Sequence, residues 1–197
     1  MITRVKKLMN DSIQTVGGEK IIELYPETKE FAEKNSLLED GIKLVEKNAN
    51  ERFAGAYIER SDKETEEFLG EENSSFLDQP ITYFKNHKNE FMYMEDPSFE
   101  LVSVDAVSFE VDDVFGTYNV MHGLKLQKKY GEAIKSFFAS EMKAENSRVD
   151  LMFDANEGLW NVNFALNNVE GFSEDMTIRA AYDSIYRFLF KLVVSVL

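Results

Sequence analysis

The sequence predicts an α+β fold, and three observations carry that prediction. Four segments of the C-terminal half alternate apolar and polar residues with period 2, the signature of half-buried strands. That half repeats itself at an offset of 42 residues. Each pair of alternating segments is followed by an apolar stripe at helical spacing. The expected architecture is a pair of duplicated ββα units over residues 99–197. They form a four-stranded antiparallel sheet with helices packed on one face, and a mixed, mostly helical N-terminal region covers residues 1–98. No Ser/Gly-rich linker separates the halves, so one compact body is expected.

In chain order, Ile2, Val5, Met9, Ile13 and Val16 make an amphipathic helix expected to stop at Gly17-Gly18. Ile21–Leu24 and Ile42–Val45 have the composition of short strands. Ser61-Asp-Lys-Glu64 has the spacing of a capping box and opens an expected acidic helix to Leu69. Asp78 and Pro80 open another, with Ile81, Phe84 and Phe91 on its inner side. Phe91–Met94 precedes Pro97 and reads as an edge strand or extended connector.

The repeat follows. Val107, Phe109 and Val111 alternate inward, and after a turn at Asp112–Gly116 the same parity continues through Tyr118, Val120, His122, Leu124 and Leu126. Val149, Leu151 and Phe153, then Trp160, Val162, Phe164 and Leu166, form the second copy around Asp154–Gly158. Over 107–132 against 149–174, seven of 26 positions are identical without a gap. Tyr130, Ile134, Phe137, Phe138 and Met142 define one helix, which Gly131 weakens in its first turn. The last helix is expected from Ser173, with the stripe Ile178, Tyr182, Ile185, Leu189, Leu192 and Val196.

Composition narrows the function classes. The 197 residues include 22 basic and 36 acidic ones, a net charge of −14, which opposes phosphate binding and so argues against a nucleic-acid partner. Cysteine is absent, so disulfides, thiolate catalysis and Cys-based zinc sites are excluded. The longest apolar stretch, Phe188 to Leu197, is ten residues broken by Lys191 and Ser195, against the roughly 20 needed to span a bilayer. No signal-peptide pattern follows the N-terminus. The expectation is a cytoplasmic protein with no membrane partner.

No catalytic, cofactor-binding or metal-ligating constellation emerges. Asp154-x-Asn156-x-Gly158 is a partial match to calcium-loop spacing, but Ala165 stands where the closing Glu belongs. Histidine occurs at 87 and 122, and each is most simply a structural residue. Parity puts Asn119, Met121, Gly123, Asp150, Met152, Asn161, Asn163 and Ala165 on the outward face of the sheet. Small and amide side chains with adaptable methionines suit a docking surface. Asn119, Met121, Met152, Asn161 and Asn163 are therefore the candidate partner-binding residues of an acidic, non-enzymatic interaction protein, of inhibitor or immunity type, that takes a basic protein partner. A small-molecule binder or enzyme with a pocket at Tyr118, His122 and Trp160 is the alternative, and a structural homodimer is a third.

Overall fold

The computed structural model of the chain describes residues 1–143 and 149–197. Its residues group into two compact units, Met1–Arg52 together with Leu197, and Phe53–Val196.

The first unit begins with helix α1 (Ile2–Asp11). Four residues expected to extend that helix do not: Ile13–Val16 is strand β1, paired with β2 (Glu19–Leu24). Gly17 and Gly18 both hold positive φ, +59° and +87°, as a two-residue hairpin turn of the twisted kind demands. Ile13, Thr15 and Val16 are β-branched, so hairpin geometry wins over the helical spacing. Helix α2 (Pro26–Lys34) then crosses over to β3 (Ile42–Glu46), which lies parallel to β2. Pro26 occupies the first helical position, where its missing N–H costs nothing. Arg52 pairs with Glu27 at 2.8 Å and stacks 4.0 Å from the Tyr25 ring centre.

The second unit is built on a seven-stranded sheet, not a four-stranded one, ordered β5-β4-β6-β7-β8-β10-β9 and antiparallel throughout. Its strands are β4 (Tyr57–Asp62), β5 (Phe68–Glu72), β6 (Glu90–Glu95), β7 (Val104–Val111), β8 (Tyr118–Leu124), β9 (Val149–Asp154) and β10 (Leu159–Ala165). Three of them come from the segment expected to be mostly helical. The supposed capping box is instead a tight turn: the Asp62 carboxylate accepts from the N–H groups of Glu64 and Thr65 and from the Thr65 hydroxyl, each at 3.0 Å. The acidic run is thus a hairpin rather than a helix face. Phe91–Met94 lies inside the sheet, between β4 and β7, and not at an edge. Strands β5 and β9 are the edges.

Three helices cover one face of this sheet: α3 (Tyr83–Asn86), α4 (Gly131–Glu141) and α5 (Ile178–Val196). Phe84 meets Phe109 at 5.3 Å, Phe138 meets Phe164 at 5.5 Å and Phe188 meets Phe164 at 5.2 Å between ring centres. The Tyr182 hydroxyl donates to the Val107 carbonyl at 3.2 Å. The long helix starts at Ile178 rather than near Ser173, because the Thr177 hydroxyl accepts the Ala180 N–H and caps it there. Its predicted stripe from Ile178 to Leu192 is fully buried.

Gly131 has a packing role. A Cβ there would stand 2.6 Å from Cη2 of Trp160, whose indole is itself buried. Gly131→Ala, although the better helix former, is expected to destabilise the protein by about 1–3 kcal/mol through overpacking. Urea unfolding of the variant checks this; a gain in stability would mean that the indole moves freely.

Candidate functional site

Strand register defines the other, outer face residue by residue. One row across it reads Glu71, Glu59, Tyr93, Ser108, Met121, Asn163 and Asp150. A second runs through Tyr57, Glu95 and Ala106 on one side and Gly123, Asn161 and Met152 on the other. Every one of these residues is exposed or half-exposed.

All five residues expected to bind a partner lie on this face. Asn161 pairs with Gly123 and Met152, Asn163 with Met121, and Asn119 with Ala165 and Glu110. Met152 is 66 % exposed, unusual for a methionine in a strand. Between them runs a groove of about 920 Å³, lined by Tyr93, Ser108, Met121, Met152, Asn161 and Asn163. Leu159 lies across Gly123, where a Cβ would come within 3.2 Å of its side chain. Glycine there lets an apolar side chain cross the face and gives the groove a wall.

The half of the face on β5, β4 and β6 had no counterpart in the sequence reading. It carries Tyr57, Glu59, Glu71, Tyr93 and Glu95. The Tyr57 hydroxyl donates to Glu59 at 2.7 Å and the Tyr93 hydroxyl to Glu95 at 2.6 Å. The carboxylate bond and the surrounding negative charge raise the Tyr57 pKa, while burial and the bond to Glu95 push Tyr93 up to about 12. The period-2 parity of Phe91, Tyr93 and Glu95 against Glu90, Met92 and Met94 was the signal that could have found this half.

On the inner side of the same strands the carboxylates are neutralised. Arg60 donates from Nε to Glu72 and from Nη1 to Glu90, both at 2.8 Å, and Tyr83 donates to Glu90 at 2.9 Å. Burial works against the guanidinium charge, but the bonds to Glu90 and Glu72 outweigh it and hold its pKa above the usual arginine value. The His87 ring stacks on Tyr83 at 4.0 Å and its Nδ1 sits 2.9 Å from the Tyr83 carbonyl oxygen, a structural position.

Tyr118, His122 and Trp160 point inward and are buried. They do not converge. His122 lies four residues along β8 from Tyr118, about 13 Å, and Trp160 pairs opposite Leu124, roughly 20 Å from Tyr118 at strand rise. Among the described residues the Tyr118 hydroxyl, both His122 nitrogens and the Trp160 N–H find no hydrogen-bond partner. Burial drives the His122 pKa down to about 4, and the neighbouring Gly123 backbone offsets this only in part.

The two hairpin turns are alike. Asp112 accepts from the N–H groups of Val114 and Phe115, and Asp154 from those of Asn156 and Glu157. Gly116 and Gly158 close them at φ +65° and +72°. These aspartates make turns. Among the described residues no three His, Asp or Glu side chains gather as a metal site.

Comparison with known proteins gives no match: no family model, no curated protein and no solved structure resembles the chain significantly. Among the described residues no helix is long and apolar enough to cross a membrane.

Proposed function

We propose that the protein is an acidic, non-enzymatic binding protein that takes a basic protein partner on the outer face of its seven-stranded sheet. The observation that carries this reading is the outer face itself, with its groove of about 920 Å³ and its exposed Met152. Charge supports it. Residues 1–52 hold 9 basic against 10 acidic residues, whereas 53–196 hold 13 against 26, so the unit that owns the groove carries −13 of the net charge. A field of that sign speeds encounter with a basic surface and rejects acidic ones. Asn161, Asn163 and Asn119 offer both donors and acceptors to a docked backbone. Strands β7–β10 with α4 and α5 we read as two copies of one ββα unit, which would give this half of the face its repeated amide pattern.

The test is capture from a native lysate by the wild type and by Met152→Lys/Asn161→Lys, at low and high salt. The wild type should hold a basic protein that salt releases, and the double variant should lose it while its melting temperature stays within a few °C, because both residues face outward. Equal capture by both proteins would move the site elsewhere. A small molecule in the same groove is the second reading, favoured by a volume inside the range of roughly 300–1,000 Å³ seen for ligand sites. Native mass spectrometry separates the two by the mass of what is bound.

A further inference from the structure

The distribution of charge across the sheet is lopsided in a way that folding alone does not call for. Among the described residues of strands β4 to β10, Arg60 is the one Lys or Arg, and it lies on the inner side with Glu72 and Glu90. The outer side carries Glu59, Glu71, Glu95, Glu110, Asp105 and Asp150 with no cation among them. Lysines at strand ends serve the middle of the face: Lys63 reaches Glu110 and Asp113, and Lys125 reaches Asp105. Glu59, Glu71 and Glu95 have no ion-pair partner among the described residues. Glu59 and Glu71 stand directly opposite each other on neighbouring strands, a placement that repels.

Beside these carboxylates lie two aromatic rings, Tyr57 (39 % exposed) and Tyr93. Their hydroxyls are already committed to Glu59 and Glu95, which fixes the carboxylates and leaves the ring faces free of that role. A planar guanidinium satisfies both features at once, since it forks onto a carboxylate and stacks on a tyrosine. An ammonium answers only the charge.

Resting on the docking reading given above, we infer that the partner lays an arginine-bearing segment across the strands. An apolar side chain sits in the groove over Met121 and Met152, and arginine fills the Tyr57, Glu59, Tyr93 and Glu95 half of the face. The sheet sets the spacing. β8 and β4 are three strand intervals apart, about 14 Å at ~4.8 Å each, which an extended chain covers in roughly four residues. The segment therefore carries its arginine about four residues from its apolar anchor.

The probe is a pair of synthetic twelve-residue peptides, each with one leucine and, four residues away, either two arginines or two citrullines, which keep the shape and lose the charge. Fluorescence anisotropy gives the Kd and the methionine methyl signals report the groove. The arginine peptide should bind the wild type about tenfold more tightly than the citrulline peptide and shift the Met121 and Met152 methyls. In Glu59→Gln/Glu95→Gln, which keeps the tyrosine hydrogen bonds, that tenfold difference should vanish while the methyl shifts persist. A difference that survives this variant, or no binding of the arginine peptide at all, overturns the inference. Loss of the methyl shifts in every protein tested, with the charge difference intact, overturns instead the groove as docking site.

Discussion

Replacing Arg60 by methionine should lower the free energy of unfolding by about 3 kcal/mol, the cost of stranding partly buried carboxylates. Methionine keeps the aliphatic stem, so the loss isolates the guanidinium. What remains is Glu90, 11 % exposed at its side chain, and Glu72, at 24 %, both on the inner side of strands β6 and β5. Arg60 to lysine should recover only part, because one ammonium cannot fork to both acids and reach the Tyr83 hydroxyl, which Arg60 meets at 3.1 Å. Arg60→Met combined with Glu72→Gln and Glu90→Gln should restore most of the stability, since the unpaired charge is then gone. Urea unfolding of the series decides it. If Arg60→Met lies within about 0.5 kcal/mol of the wild type, the cluster is solvated and no charge is stranded.

Acid should weaken the fold through His122, and His122→Leu should remove that component. The unfolded imidazole titrates near 6.5, whereas the buried one titrates at about 4. Between those values the unfolded chain binds a proton that the native one refuses. Stability is therefore whole above pH 6.5, falls as pH drops and levels off near 4, with a total loss of about 3 kcal/mol from this group. By pH 5 roughly 2 kcal/mol of it is spent. The leucine variant should match or exceed the wild type at pH 7.5, because it deletes two unpartnered buried nitrogens. Its advantage should widen by about 2 kcal/mol at pH 5. An unchanged gap between the two proteins would mean that water or a neighbour reaches the ring.

The parts of the fold that were legible in the sequence are those whose signal is local. Strands β7 to β10 each alternate over six residues or more, so parity alone assigned Val107, Val120 and Val162 inward and Met121, Met152 and Asn163 outward. Strands β4 to β6 were hidden by competing local signals. Ser61 and Glu64 have helix-capping spacing, yet the Asp62 carboxylate organises a turn between them. Pro97, which argued for an edge, instead opens a short 3-10 helix capped by Asp96. Half of the candidate site followed from parity. The other half did not, because the parity of Phe91, Tyr93 and Glu95 marks two faces without showing that β6 lies between β4 and β7, which is a long-range pairing. Gly131 likewise looked like a defect until Trp160 was seen against it.

The sheet's two free edges acquire a meaning when set beside its charge. β5 presents exposed Phe68 and Leu69, and β9 presents exposed Met152, each on an edge with no further strand among the described residues, the kind of edge that recruits another chain. Glu71 on one edge and Asp150 and Asp154 on the other keep copies apart at neutral pH by mutual repulsion. That protection fades toward the isoelectric point, about 4.6. The same interval of acidity loosens the core beneath His122. Colloidal protection and internal cohesion thus fail together, and acidification exposes two adhesive borders on a protein that has lost the charge holding its copies apart.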